Sequence, residues 1–125
     1  MKLSKAREAL RAAELCFSQH LFNSASSMAY QAMLLASVAA LEDEGIYARK
    51  NRWSHERVQA VFCSELIRQR ESYPPQLAWY LVAGLSIRNQ GDHEEVQISE
   101  SQARRMVQWA KAFIAKVDEV AYEKA

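Results

Sequence analysis

Met28-Ala29-Tyr30-Gln31-Ala32-Met33-Leu34-Leu35-Ala36-Ser37-Val38-Ala39-Ala40-Leu41 is the longest apolar stretch of this chain, and its reading decides the fold. Alanine, leucine and methionine favour helix over strand, and the apolar residues fall on nearly every side of that helix. A surface helix would keep a polar face. With Ala25, Ala29, Ala32, Ala36, Ala39 and Ala40 in one run, the stretch predicts a central helix that neighbours approach closely from several sides. It is shorter than the roughly 20 residues of a membrane span, and Gln31 and Ser37 interrupt it. Asn23 or Ser24 is placed to cap its start, and Gly45 to stop it.

Working outward, Leu3, Ala6, Leu10, Ala13 and Phe17 recur at spacings of three and four, which predicts a first helix with one buried stripe. His20-Leu21-Phe22-Asn23 makes the break between it and the central helix. Beyond Gly45, Ile46 to Trp53 has no period and carries Arg49, Lys50, Asn51 and Arg52, an exposed basic loop. Ser54 caps a third helix with Val58, Val61 or Phe62, and Leu66 inward. Pro74 and Pro75 end that segment, and Pro75 suits the first turn of the fourth. There Leu77, Tyr80, Leu81, Gly84 and Leu85 form the inward stripe, and the period carries Arg88 to the apolar side. Ser99 and Gln102 have capping-box spacing ahead of a last helix through Ala103, Met106, Ala110, Phe113, Val117 and Val120. Tyr122 to Ala125 are expected to fray. The expectation is one all-α domain over residues 1–125, an up-and-down bundle of about five helices, four long and one short or interrupted. The fourth segment is expected to be interrupted near its functional end.

Composition agrees. A chain of 125 residues with 50% hydrophobic and 25% charged side chains suits one domain, and three glycines and two prolines are too few for a sandwich or barrel. Sixteen basic against 15 acidic side chains leave a net charge of +1, which does not indicate salt-driven binding to duplex nucleic acid. Cys16 and Cys63 lie in different apolar segments and read as buried thiols. The charged, amphipathic start shows no secretory signal, so a cytoplasmic location is expected. No spacing of histidine, cysteine or carboxylate residues suggests a metal site, and no cofactor is expected.

The chemistry concentrates in Ile87-Arg88-Asn89-Gln90-Gly91-Asp92-His93, where the fourth helix ends. A guanidinium offers a planar fork of donors to the charge that grows on a phosphodiester under attack. An imidazole four residues further along can take a proton from a ribose 2′-hydroxyl and give one to a leaving 5′-oxygen. Together they suit metal-free cleavage of RNA, in which the substrate supplies its own nucleophile. The spacing alone is weak. Arg49 and His55 satisfy it too, and ten arginines with three histidines yield roughly one such match by chance. The alternative for Arg88 is an ion pair with Asp92, Glu94 or Glu95, leaving His93 a solvated loop residue. Met28, Met33 and Met106, with Trp79, Trp109, Phe62 and Phe113, are assigned to the core or to a dimer interface, and Tyr30 to a hydrogen bond inside the bundle. His55 is structural on this reading, unless the basic loop before it reaches phosphate.

Arg88 with Asn89 and His93 resembles the hallmark of the HEPN domain superfamily: an arginine, a polar residue, and a histidine after four to six residues. Ser24 to Met33, Ser54 to Phe62, Ile98 to Ala103 and Ala110 to Phe113 are similar to the family's second, third and last helices, in the same order. The resemblance implies a homodimer in which two such motifs form one composite ribonuclease site acting on RNA, commonly as a toxin beside an MNT-type nucleotidyltransferase antitoxin. On that carry-over His93 is the general acid/base, Arg88 holds the scissile phosphate, Asn89 orients one of them, and Asp92 is a weaker supporting residue. The short subgroup most like this chain often has tyrosine after the aspartate, where this chain has His93. Some family members are non-catalytic, so a helical adaptor for a nucleotidyltransferase or a nucleotide is the alternative.

Overall fold

A computed structural model describes residues 3–93 and 95–124, with the backbone alone at position 51. Helix α1 spans Ser4–Ser18, α2 Phe22–Asp43, α3 His55–Val61, α4 Gln76–Gly91 and α5 Glu100–Lys124, with a single 3-10 turn at Arg49–Asn51. The described residues contain no strand, so the fold is the all-α bundle that composition and periodicity predict. The irregular segment is the third, not the fourth. Helix α3 runs directly into a π-helical stretch, Phe62–Gln69, in which the Arg70 N–H donates to the carbonyl of Glu65, five residues back. Helix α4 is continuous, and the motif sits at its end.

Helix α2 is the spine. Ala25, Ala29, Ala32, Ala36 and Ala40 are fully buried along with Met33 and Leu41, because α1 and α5 lie along it and α4 crosses it. Its 22 residues contain an 18-residue window of mean hydropathy 1.2, enough by length and composition for a membrane span, longer than the apolar run alone suggested. Its apolar surface is nevertheless covered by the other helices of the bundle. Where α4 crosses, Gly84 permits the approach: a Cβ there would lie 2.9 Å from Cε of Met33 and 3.4 Å from the Tyr30 ring. Phe62 and Phe113 stack at 5.4 Å between the π-helical stretch and α5.

The joints follow their sequence signals in most places. The Ser54 hydroxyl accepts from the Arg57 N–H, and Ser99 and Gln102 exchange two hydrogen bonds of 3.0 and 3.1 Å, the reciprocal pair that a capping box makes. Gly45 takes a φ of +81°, left-handed backbone that ends α2. Asn23 does otherwise. Helix α2 starts before it, with no side-chain cap, and the Asn23 Oδ1 accepts from the Ile98 N–H at 2.9 Å. A tie across the fold thus takes the side chain expected to cap a helix. Helix α5 stays helical to Lys124, past the point of expected fraying, where the Lys124 Nζ lies 2.8 Å from the Glu44 carboxylate. Glu44, 8% exposed at its side chain, also meets Arg70 and accepts from the Ser72 hydroxyl, so it joins the ends of three helical segments.

Candidate functional site

Helix α4 carries Arg88 in its last turn, against the Tyr30 ring of α2. Leu77, Leu81, Gly84 and Ile87 are buried, and Arg88 lies one turn past Gly84 on the same inward side. Its guanidinium carbon stands 5.7 Å from the centroid of the Tyr30 ring, over its face. That contact engages the π-surface and leaves the N–H fork free. Arg88 forms no ion pair among the described residues. Asp92 and Glu95 therefore do not supply the carboxylate partner that the alternative reading required; Glu94 lies outside the described residues.

Tyr30 organises what surrounds Arg88. Its hydroxyl donates to Oε1 of Gln59 at 3.1 Å, and the His55 ring meets its edge with centroids 6.4 Å apart at 74°. Burial raises the Tyr30 pKa, Arg88 pulls it back, and Glu56 adds to the rise, so the phenol stays protonated and donating at neutral pH. The hydrogen bond inside the bundle is the one the sequence predicts. The role of His55 was missed. Its signal was its spacing from Gln59, four residues on and hence on the same helical face, behind the Ser54 cap. Only the fold shows that this face meets Tyr30.

Val82, Leu85 and Asn89 follow one another on α4 at spacings of three and four. Val82 and Leu85 line a cavity of about 910 Å³ with Glu56, Gln59 and Arg57 from α3. Asn89 is exposed, and its carbonyl accepts from the Asp92 N–H at 3.3 Å, closing the end of α4. Asp92 and His93 are exposed on the turn beyond. His93 donates its N–H to the Gln90 carbonyl and accepts from Val96 through its own, so its backbone is fixed while its imidazole faces solvent. Packing of Ile98 on Gly91, where a Cβ would come within 3.1 Å of it, and the Asn23 tie hold this turn to α2. Within the described chain Arg88 and His93 share no hydrogen bond. The fold instead brings Arg88 together with Tyr30, and through Tyr30 with Gln59 and His55.

The remaining assignments are structural. Both cysteines are free and half-buried, not buried as their apolar segments suggested, because each lies at the edge of its helix's packed face; partial burial pushes the Cys63 thiol up against the opposing pull of Arg68, so it stays protonated. Phe62, Phe113, Met33 and Met106 are fully buried. Trp79 is not: it is 57% exposed, edge-on to Trp109, and Val82 beside it is 57% exposed as well.

A search of curated proteins finds no match to the chain. The family model described as HEPN domain matches residues 2–120 of the 125, taking in α1 to α4, most of α5 and the whole Arg88 to His93 motif. A match over almost the entire length, on a bundle whose second helix is the buried spine and whose fourth ends in that motif, places the chain in the HEPN domain family.

Proposed function

We propose that the protein is a metal-independent endoribonuclease, working as a homodimer and serving as the toxin of a toxin–antitoxin pair with an MNT-type nucleotidyltransferase. The observation that carries this reading is Arg88: a half-buried guanidinium braced by Tyr30, with no carboxylate and no hydrogen-bond acceptor beside it among the described residues. A partly desolvated cation without a described counter-charge gains from one, so a site built this way is suited to an anion from outside the chain. A phosphodiester fits the planar fork.

In the reaction, an imidazole takes the proton of the ribose 2′-hydroxyl as its oxygen bonds to phosphorus, and the bond from phosphorus to the 5′-oxygen breaks. A second proton goes to that leaving oxygen. The products are a 2′,3′-cyclic phosphate and a 5′-hydroxyl, with no other reactant. Arg88 stabilises the charge that builds on the non-bridging oxygens. Two proton transfers ask for two groups. Exposed His93 from each of two copies would supply both, which is the argument for a composite site. The exposed Trp79 and Val82 on α4 supply apolar surface for such a contact. The same surface also fits the second reading, a non-catalytic adaptor covered there by a nucleotidyltransferase.

The test is cleavage of a mixed RNA pool in EDTA by the wild type, Arg88→Ala and His93→Ala, with the oligomeric state of each measured alongside. His93→Ala should lose roughly 10²–10⁴-fold in rate, the usual contribution of one proton-transfer group, and Arg88→Ala should lose as much or more. Both should keep the fold and the dimer. A folded wild-type dimer that leaves RNA intact would hand the site to the adaptor reading.

A further inference from the structure

A second cavity, of about 690 Å³, opens between the loop that follows α2 and the start of α3. Its lining includes Tyr47, Arg49, Arg52, Trp53, Ser54 and Arg57, three guanidinium groups and two aromatic rings with no carboxylate among them. The 3-10 turn gathers them. Lys50 takes left-handed backbone, φ +56°, and the chain turns there so that Arg49 and Arg52 line one cavity with Arg57 of α3. All three arginines are exposed, and none forms an ion pair among the described residues, whereas Arg7, Arg70 and Arg104 each do. A chain of net charge +1 with 15 carboxylates has acid to spare, and none of it lines this cavity.

Two further observations point to a ligand. Trp53 lines the cavity, yet its indole N–H is shut off from solvent with no acceptor among the described residues. Buried donors are nearly always satisfied, so this one lacks a partner, which an acceptor seated in the cavity can supply once the indole shifts to expose it. Tyr47 is 64% exposed and its ring packs against no described aromatic. It is an open face at the rim. Arg57 and Val61 also line the larger cavity, so the concave surface continues to Gln59, the hydrogen-bond partner of Tyr30, on whose ring Arg88 rests.

We infer that this cavity is an accessory anchor for single-stranded RNA, taking two or three consecutive phosphates on Arg49, Arg52 and Arg57 and one unpaired base on Tyr47. A single strand fits better than a duplex. The cations are gathered in one pocket and not spread in a stripe, and an aromatic face can stack only on a base that is out of a helix. The anchor would bind the strand to one side of the cut, leaving Arg88 and His93 to act on the scissile bond. Its substrate class rests on the ribonuclease reading, but its measurement does not require cleavage.

The experiment is binding of a fluorescent 2′-O-methyl RNA 12-mer, which has no free 2′-hydroxyl and cannot be cut, followed by anisotropy over a range of salt. The double variant Arg52→Gln/Arg57→Gln should weaken binding by about tenfold or more and lower the slope of log Kd against log salt by about 1.4, near 0.7 for each phosphate of a single strand that is no longer neutralised. Arg52→Lys/Arg57→Lys should keep most of the slope, and Tyr47→Ala should weaken binding by about fivefold or more without changing it. An unchanged Kd and slope in the glutamine variant, with its helical circular dichroism intact, overturns the inference, as does a wild type that does not bind the oligomer. A protein that cuts RNA yet binds as well without these arginines would sink the anchor and spare the ribonuclease. One that binds through them but never cuts would do the reverse.

Discussion

The two sides of helix α4 are built on opposite plans. Toward α2, Gly84 lets the backbones come so close that even one methyl group would lie 2.9 Å from Met33. Toward α3, Val82 and Leu85 look across a cavity of about 910 Å³ to Gln59 and Glu56. Both sides are rich in apolar residues, which is why the sequence of α4 alone does not separate them. The difference shows that apolarity serves two ends here: on one side it closes a core, and on the other it walls a groove. Arg88 lies one turn beyond Gly84, fastened to Tyr30 of the core and half-exposed.

Three substitutions probe that contrast. The largest effect belongs to the closed side: Gly84→Leu forces a branched side chain against Met33, Tyr30 and Met106 and should cost about 1–3 kcal/mol or more. Denaturant unfolding reads this as a drop in midpoint at unchanged slope, and a fully stable variant would mean that the approach of α4 to α2 is looser than described. At the seam, Tyr30→Phe removes the hydroxyl that donates to Gln59 while keeping the ring beneath Arg88. About 0.5–1.5 kcal/mol of stability should go with that hydrogen bond. Any cleavage rate should fall less than in Arg88→Ala; equal losses would make the hydroxyl, not the ring, the support. The smallest effect lies on the open side. Val82→Ser, at a residue 57% exposed, should change monomer stability by no more than about 0.5 kcal/mol, while weakening any interface that covers it. A larger loss measured on the monomer would erase the contrast.

Much of this was legible because the signals were local. The alanine run announced the spine, the Ser99 and Gln102 spacing announced its capping box, and the period through Leu81, Gly84 and Leu85 turned Arg88 inward. What escaped depends on residues far apart in the chain. Asn23 answers Ile98, 75 positions away, and no short-range rule distinguishes that use from a helix cap. His55 gained its place only through Tyr30, on another helix. Of the carboxylates weighed as partners of Arg88, Asp92 and Glu95 do not pair with it and the Tyr30 face lies against it, and helical period says nothing of which neighbour will be there.

The π-helical stretch from Phe62 to Gln69 bears on how such a domain diversifies. A π-turn closes its hydrogen bond over five residues in place of four, so the stretch is equivalent to an α-helix that has admitted an extra residue. A wall that has taken in one residue can give it back or take another, shifting the side chains beyond it around the axis while α1, α2 and α5 stay in register. Changes of length are therefore absorbed beside the groove and not in the spine, which leaves the shape of the groove as the variable on which substrate choice can be tuned.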